Sequence, residues 1–188
     1  MIDNILQIVT FVTAIAIMFL QINQSRWMWV MEIVSCSAAM VLFFRQHLYA
    51  TFLMNVYFIV VSVIGLVRWS SEKKESGVVL RKMSWKVAGG SLAGFLLGCI
   101  LFSRLAAWMG DPKSTADVAA TILGALAIWW TSRMYLTSWI LWMVSDLILV
   151  GMCAATGMRL LSIMYAMYIV SSLIGFFNWK KNVTRYIE

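Results

Sequence analysis

The chain has 188 residues, 62% hydrophobic and only 12% charged, with a formal net charge of +7. Soluble domains carry about twice that share of charge, so a water-soluble enzyme or nucleic-acid-binding domain is excluded. Long apolar runs, in place of short alternating segments, exclude a transmembrane barrel as well and leave a polytopic α-helical membrane protein.

A helix needs about 20 apolar residues to cross the bilayer. Seven such spans are predicted, at 5–23, 27–44, 48–68, 86–106, 116–134, 137–156 and 158–178. The first is too long, and too uncharged at its N-terminus, to be a signal peptide. The second carries Glu32 and the third carries Asn55 and Tyr57. A charged linker, Ser70–Lys86, leads to the fourth, where Gly90, Gly94 and Gly98 recur every four residues. Small residues at that spacing let helices approach closely, so this stripe is read as packing. The sixth holds Trp139, Trp142 and Asp146, and the seventh holds Tyr165 and Tyr168.

Sliding the sequence by 110 positions places Trp29 on Trp139, Ser35 on Ser145, Met54 on Met164, Ser62 on Ser172, Gly65 on Gly175 and Trp69 on Trp179. From Trp29 to Trp69 there are 10 identities in 41 positions without a gap. Each copy closes on I-G-x-x-x-W. The chain is therefore divided into a first three-helix repeat (1–69), a linker with a connecting fourth helix (70–112) and a second three-helix repeat with a tail (113–188). The fourth helix restores the orientation of the second copy, so the layout is 3+1+3 with parallel repeats. Repeats of this kind are characteristic of transporters, in which two similar halves rock about a site near the midplane.

The positive residues divide unevenly. One side receives Arg26, Arg68, Lys73, Lys74, Arg81, Lys82, Lys86, Arg133, Lys180, Lys181 and Arg185, and the other receives Arg45, Arg104, Lys113 and Arg159. The positive-inside rule puts the C-terminus in the cytoplasm and the N-terminus outside. The net positive charge is then an orientation signal and a contact with anionic lipid, not a sign of nucleic-acid binding. Cys36, Cys99 and Cys153 all fall in apolar runs and form no disulfide framework. With His47 the only histidine, no histidine-based zinc site can be built.

Asp146 lies seven residues past Trp139, about 10 Å along the helix and near the midplane. A carboxylate at that depth is costly unless it meets a wet cavity or a partner, and a cationic ligand is the candidate partner. Glu32 is shallower, about one turn in. Trp139, Trp142 and Asp146 share one helical face, an aromatic wall beside a carboxylate that suits a flat cation. Asn55 with Tyr57, and Tyr165 with Tyr168, supply polar groups at matching depth in the two copies. Trp27, Trp69, Trp85, Trp130 and Trp179 fall near the cytoplasmic interface and read as belt residues.

The stretches LYATFLMNVYFIVVSVIGLVRW, SWILWMVSDLILV and YIVSSLIGFFNWKK resemble the Pnu-type vitamin transporters, which carry nicotinamide riboside and related vitamins. The resemblance rests on the LYA start of the third helix, the W-x-x-W of Trp139 and Trp142, and the two G-x-x-x-W endings. It implies facilitated diffusion of an unphosphorylated vitamin across a bacterial inner membrane, by a homotrimer with one pathway per subunit, followed by trapping by a cytoplasmic kinase. No nucleotide or cofactor motif is present in the chain itself. Asp146 and Glu32 stand where the riboside carriers tend to have amide or small residues, and Asn55 where they have Gln. Thiamine joins a thiazolium cation to an aminopyrimidine whose amine and ring nitrogen a carboxylate can bind. It is therefore placed slightly ahead of nicotinamide riboside. A proton-coupled symporter titrating Asp146 is the alternative mechanism. A seven-helix receptor is a further alternative, although rhodopsin-type receptors lack such a repeat. No paired His, G-x-S-x-G or H-E-x-x-H suggests an intramembrane enzyme.

Overall fold

The structure, a computed structural model, describes residues 2–72, 78–110 and 114–187. Lys73, Lys74 and Lys113, counted above, lie outside the described residues. Seven helices are found among those described: α1 (Ile2–Ile22), α2 (Trp27–Arg45), α3 (Tyr49–Glu72), α4 (Trp85–Trp108), α5 (Thr115–Ser132), α6 (Ser138–Ala155) and α7 (Arg159–Lys181). They agree with the seven predicted spans to within a few residues at each end.

Five helices, α2, α3, α4, α6 and α7, are long and apolar enough to cross a membrane, and α1 adds an apolar stretch over Ile8–Ile22. The exception, α5, is also the most enclosed: Val118, Ala120, Ile122, Gly124, Ala127 and Ile128 are among its buried residues. A helix surrounded by protein does not need a lipid-soluble outer face. At the other extreme, α4 exposes Leu92, Leu96, Leu97, Ile100 and Leu101, as expected of a helix whose solvent is hydrocarbon. Along α1–α2–α3 each helix packs on the next, and α5–α6–α7 repeats this order. The groups meet through α3 against α5 and α1 against α7, while α4 rests on α5 and, more lightly, on α3.

Residues 110 apart take equivalent places. Gln24 and Met134 close the α1–α2 and α5–α6 turns with positive φ of 49° and 62°. His47 and Gly157 do the same after α2 and α6, at 58° and 75°. The turns share their hydrogen bonds: Ser25 N–H donates to the Leu20 carbonyl at 2.8 Å, and Tyr135 N–H to that of Trp130 at 3.1 Å. The repeated glycines have the same purpose. A Cβ on Gly65 would press into the Trp29 ring and one on Gly175 into the Trp139 ring, so each I-G-x-x-x-W leaves room for the tryptophan of a neighbouring helix.

Two short strands were not expected. β1 (Val78–Arg81) and β2 (Val183–Ile187) pair in parallel, although β1 lies within the predicted linker and β2 in the predicted tail. Val78, Val79 and Leu80 are buried in the main core cluster. Gln24, itself fully buried, donates from Nε2 to the Val79 carbonyl at 2.6 Å and accepts from the Val79 N–H at 2.8 Å. On the other side, Arg81 N–H donates to the Met134 carbonyl at 3.0 Å. Both helical turns therefore rest on β1 at one end of the bundle.

At this end Trp29 meets Trp69 edge-on with centroids 5.3 Å apart, Trp139 meets Trp179 likewise at 5.3 Å, and Trp69 meets Trp179 at 6.0 Å. The belt expectation is thus corrected for Trp69 and Trp179, which are fully buried, and for Trp130, which is buried with its Nε1–H on Ser91 Oγ at 3.1 Å. Trp27 and Trp85 are exposed, as belt residues are. Trp69 and Trp179 pack against each other and against Trp29 and Trp139, and Trp130 meets Tyr135 edge-on at 6.2 Å. Each ring thus finds an aromatic partner inside the protein in place of the interface.

Candidate functional site

Above this aromatic layer lies a cavity of about 450 Å³, within the size range of small-molecule sites. Its walls come from six helices, with Phe102 of α4 at one edge. Seven of the eight residues singled out in the sequence line it: Glu32, Asn55, Trp139, Trp142, Asp146, Tyr165 and Tyr168. Tyr57 does not. It is two residues from Asn55, hence on a different face of α3, and its hydroxyl donates to the Ala125 carbonyl of α5 at 3.0 Å. There it ties α3 to α5.

Asp146 is buried, with 6% of its surface exposed, and no hydrogen bond to its carboxylate is found among the described residues. A carboxylate removed from water without a partner is costly, and this one lines the cavity. Glu32, one turn before Cys36, accepts a long hydrogen bond from the Cys36 thiol at 3.6 Å. Tyr168 is close enough to feel the charge of both Asp146 and Glu32. Its ring meets that of Tyr165 edge-on at 6.1 Å. The Trp142 Nε1–H donates to Thr131 Oγ1 at 3.2 Å, which fixes the indole plane, and Asn55 Nδ2 is held by the Thr51 carbonyl at 2.9 Å. Trp139 is shared between the cavity floor and the buried tryptophan cluster.

Of the lining groups not singled out in the sequence, two bear most on the chemistry. Asp117 is a third carboxylate on the wall. It sits in the first turn of α5, where Ser114 Oγ accepts its N–H at 3.1 Å, so capping alone accounts for it in the sequence. Gln21, near the end of α1, presents a buried Nε2 with no acceptor among the described residues. Measured along the helices from the β1–β2 end, Glu32 lies about 8 Å deep, Asp146 about 12 Å and Asp117 about 22 Å. No Lys, Arg or His lines the cavity among the described residues. Nor do the described residues contain a cluster suited to a metal ion.

A helical membrane bundle enclosing a largely apolar cavity with three carboxylates on its wall has the architecture of a carrier for a small solute. The chain belongs to the nicotinamide mononucleotide transporter family, whose model matches residues 4–181. It is thus a transporter-family protein and not an enzyme. Among solved structures, the crystal structure of the vitamin B3 transporter PnuC is similar in fold, with a TM-score of 0.75 at 20% sequence identity, over 95% of this chain and 82% of that one. No curated protein sequence matches the chain.

Proposed function

We propose that this protein carries an unphosphorylated, cationic vitamin or vitamin precursor by facilitated diffusion, with thiamine ahead of nicotinamide riboside. The observation that carries this reading is the unpartnered, buried Asp146 in a cavity with two further carboxylates and no basic residue among the described lining. A cation supplies the missing countercharge, and Trp142, Tyr165 and Tyr168 supply aromatic surface for a flat ring. Thiamine is preferred because its exocyclic amine can donate to a second carboxylate while its thiazolium faces the first.

The family description names a mononucleotide, which bears a phosphate. The acidic wall argues against a phosphorylated cargo, because phosphate would meet like charge and no donor cation. A carrier of this kind only equilibrates its ligand, so accumulation falls to a cytoplasmic kinase. The basic residues gathered at the β1–β2 end support placing that end in the cytoplasm of a bacterial inner membrane, with the N-terminus outside. The equivalent turns at that end support two parallel repeats around α4. A homotrimer with one pathway per subunit completes the reading.

Proton coupling through the buried carboxylates is the second reading, favoured by the position of Asp146. Equilibrium binding to the purified protein tests the cargo. Thiamine and nicotinamide riboside should bind, and thiamine monophosphate, thiamine diphosphate and nicotinamide mononucleotide should bind far more weakly. Comparable affinity for a phosphorylated form rejects the site. Uptake into liposomes with and without a proton gradient separates the two mechanisms.

A further inference from the structure

Outside the cavity, three arginines from three different elements meet at the β1–β2 end. Arg68 lies one turn before Glu72 on α3. Arg81 of β1 donates its N–H to the carbonyl of Met134, next to Arg133 of the α5–α6 turn. Arg68 lies within electrostatic range of both arginines. One carboxylate stands among them. Glu72 accepts from Arg81 Nη2 at 3.0 Å, while the Glu72 carbonyl accepts from Arg185 Nη2 at 2.9 Å. With Arg185, four guanidiniums stand against a single carboxylate among the described residues, an excess of positive charge. Arg68 Nη1, Arg81 Nε and Arg133 Nε are each sealed from solvent with no acceptor among the described residues. Like charges held together and partly desolvated are costly unless an anion joins them.

The cluster is also preorganised. The Arg133 guanidinium lies over the Trp129 ring, with Cζ 4.7 Å from the centroid, which fixes its plane and leaves its edge for a planar, forked contact. Arg68 and Arg133 donate no side-chain hydrogen bond within the described residues.

We propose that Arg68, Arg81 and Arg133 form a phosphate-binding site, taking the phosphate of a soluble phosphorylated compound or of an anionic lipid headgroup. Guanidinium forks match phosphate oxygens in pairs, and a phosphate would balance the excess of positive charge over the one described carboxylate. Because the ligands come from α3, β1 and the α5–α6 turn, a bound phosphate ties together the elements that pack beneath the cavity floor. The site is independent of what the cavity carries.

The test uses the full-length protein. Thermal unfolding is followed in detergent with inorganic phosphate against chloride at matched ionic strength. It is then followed in vesicles of phosphatidylcholine alone against phosphatidylcholine with phosphatidylglycerol. The variants are Arg68→Gln, Arg133→Lys, which keeps the charge but loses the fork, and Lys180→Gln as a control for exposed charge. Phosphate or phosphatidylglycerol should raise the midpoint of the parent and of Lys180→Gln alike. The concentration for half the effect should rise about tenfold in Arg68→Gln and Arg133→Lys. A response in detergent assigns the site to soluble phosphate, and a response confined to phosphatidylglycerol vesicles assigns it to a lipid headgroup. No response to either, or the same response in every variant, overturns the proposal.

Discussion

Asp146 and its neighbours show which single residues announce themselves in such a sequence. A carboxylate or amide in the middle of an apolar run is conspicuous because hydrocarbon tolerates it so poorly, and Glu32, Asn55 and Asp146 could be found on that ground alone. Asp117 and Gln21 sit near helix ends, where polar groups are ordinary, so nothing in the sequence separates a lining role from a cap. Tyr57 shares the depth of Asn55 but not its helical phase, so depth alone does not place a side chain on the cavity wall. Asp146→Asn keeps the shape but removes the charge, and ligand affinity should fall by about 5- to 150-fold, or 1–3 kcal/mol, as for a charge-assisted contact. Folding should be preserved, since a neutral amide costs less than an unpaired carboxylate. Titrating the folded variant with thiamine checks this, and unchanged affinity would make Asp146 a structural residue. Tyr57→Phe should leave affinity intact and cost only about 1 kcal/mol of stability through the lost bond to Ala125.

At the scale of elements, the paired tryptophans and glycines were legible because the same packing problem is solved twice. Trp29 over Gly65 and Trp139 over Gly175 demand the same residues in both copies. Gly65→Ala or Gly175→Ala should therefore destabilise by about 1–3 kcal/mol through overpacking. Gly90→Ala and Gly94→Ala, with nothing within 4 Å of the added Cβ, should be close to neutral, and thermal unfolding in one detergent compares all four. The strands were not legible. β1 is four residues long and its first three residues are all buried, so it shows no alternation, and its partner lies some hundred positions away. The buried side chain that holds β1 is a glutamine in a turn. Gln24→Ala strands the Val79 N–H and carbonyl inside the core and should cost about 1–3 kcal/mol, read as a lower unfolding midpoint.

For the whole molecule, the division of charge and the division of structure coincide. Arg26, Arg81, Arg133 and Arg185 all belong to the end where the tryptophan cluster and the strands close the bundle. A reporter fused to the C-terminus should accordingly be active only in the cytoplasm, and a periplasmic readout would invert the inner and outer ends of the pathway. The cavity lies between this closed end and the end at which α5 begins, so a carrier working by alternating access must loosen the aromatic layer to open the cavity at that end. Counterflow in proteoliposomes tests the central claim most directly, with unlabelled thiamine or nicotinamide riboside loaded inside and the labelled compound outside. Labelled cation should accumulate transiently without any ion gradient, phosphorylated forms should neither enter nor compete, and Asp146→Asn should slow the exchange. Gradient-independent counterflow of a phosphorylated form, or none with either unphosphorylated cation, would contradict the account.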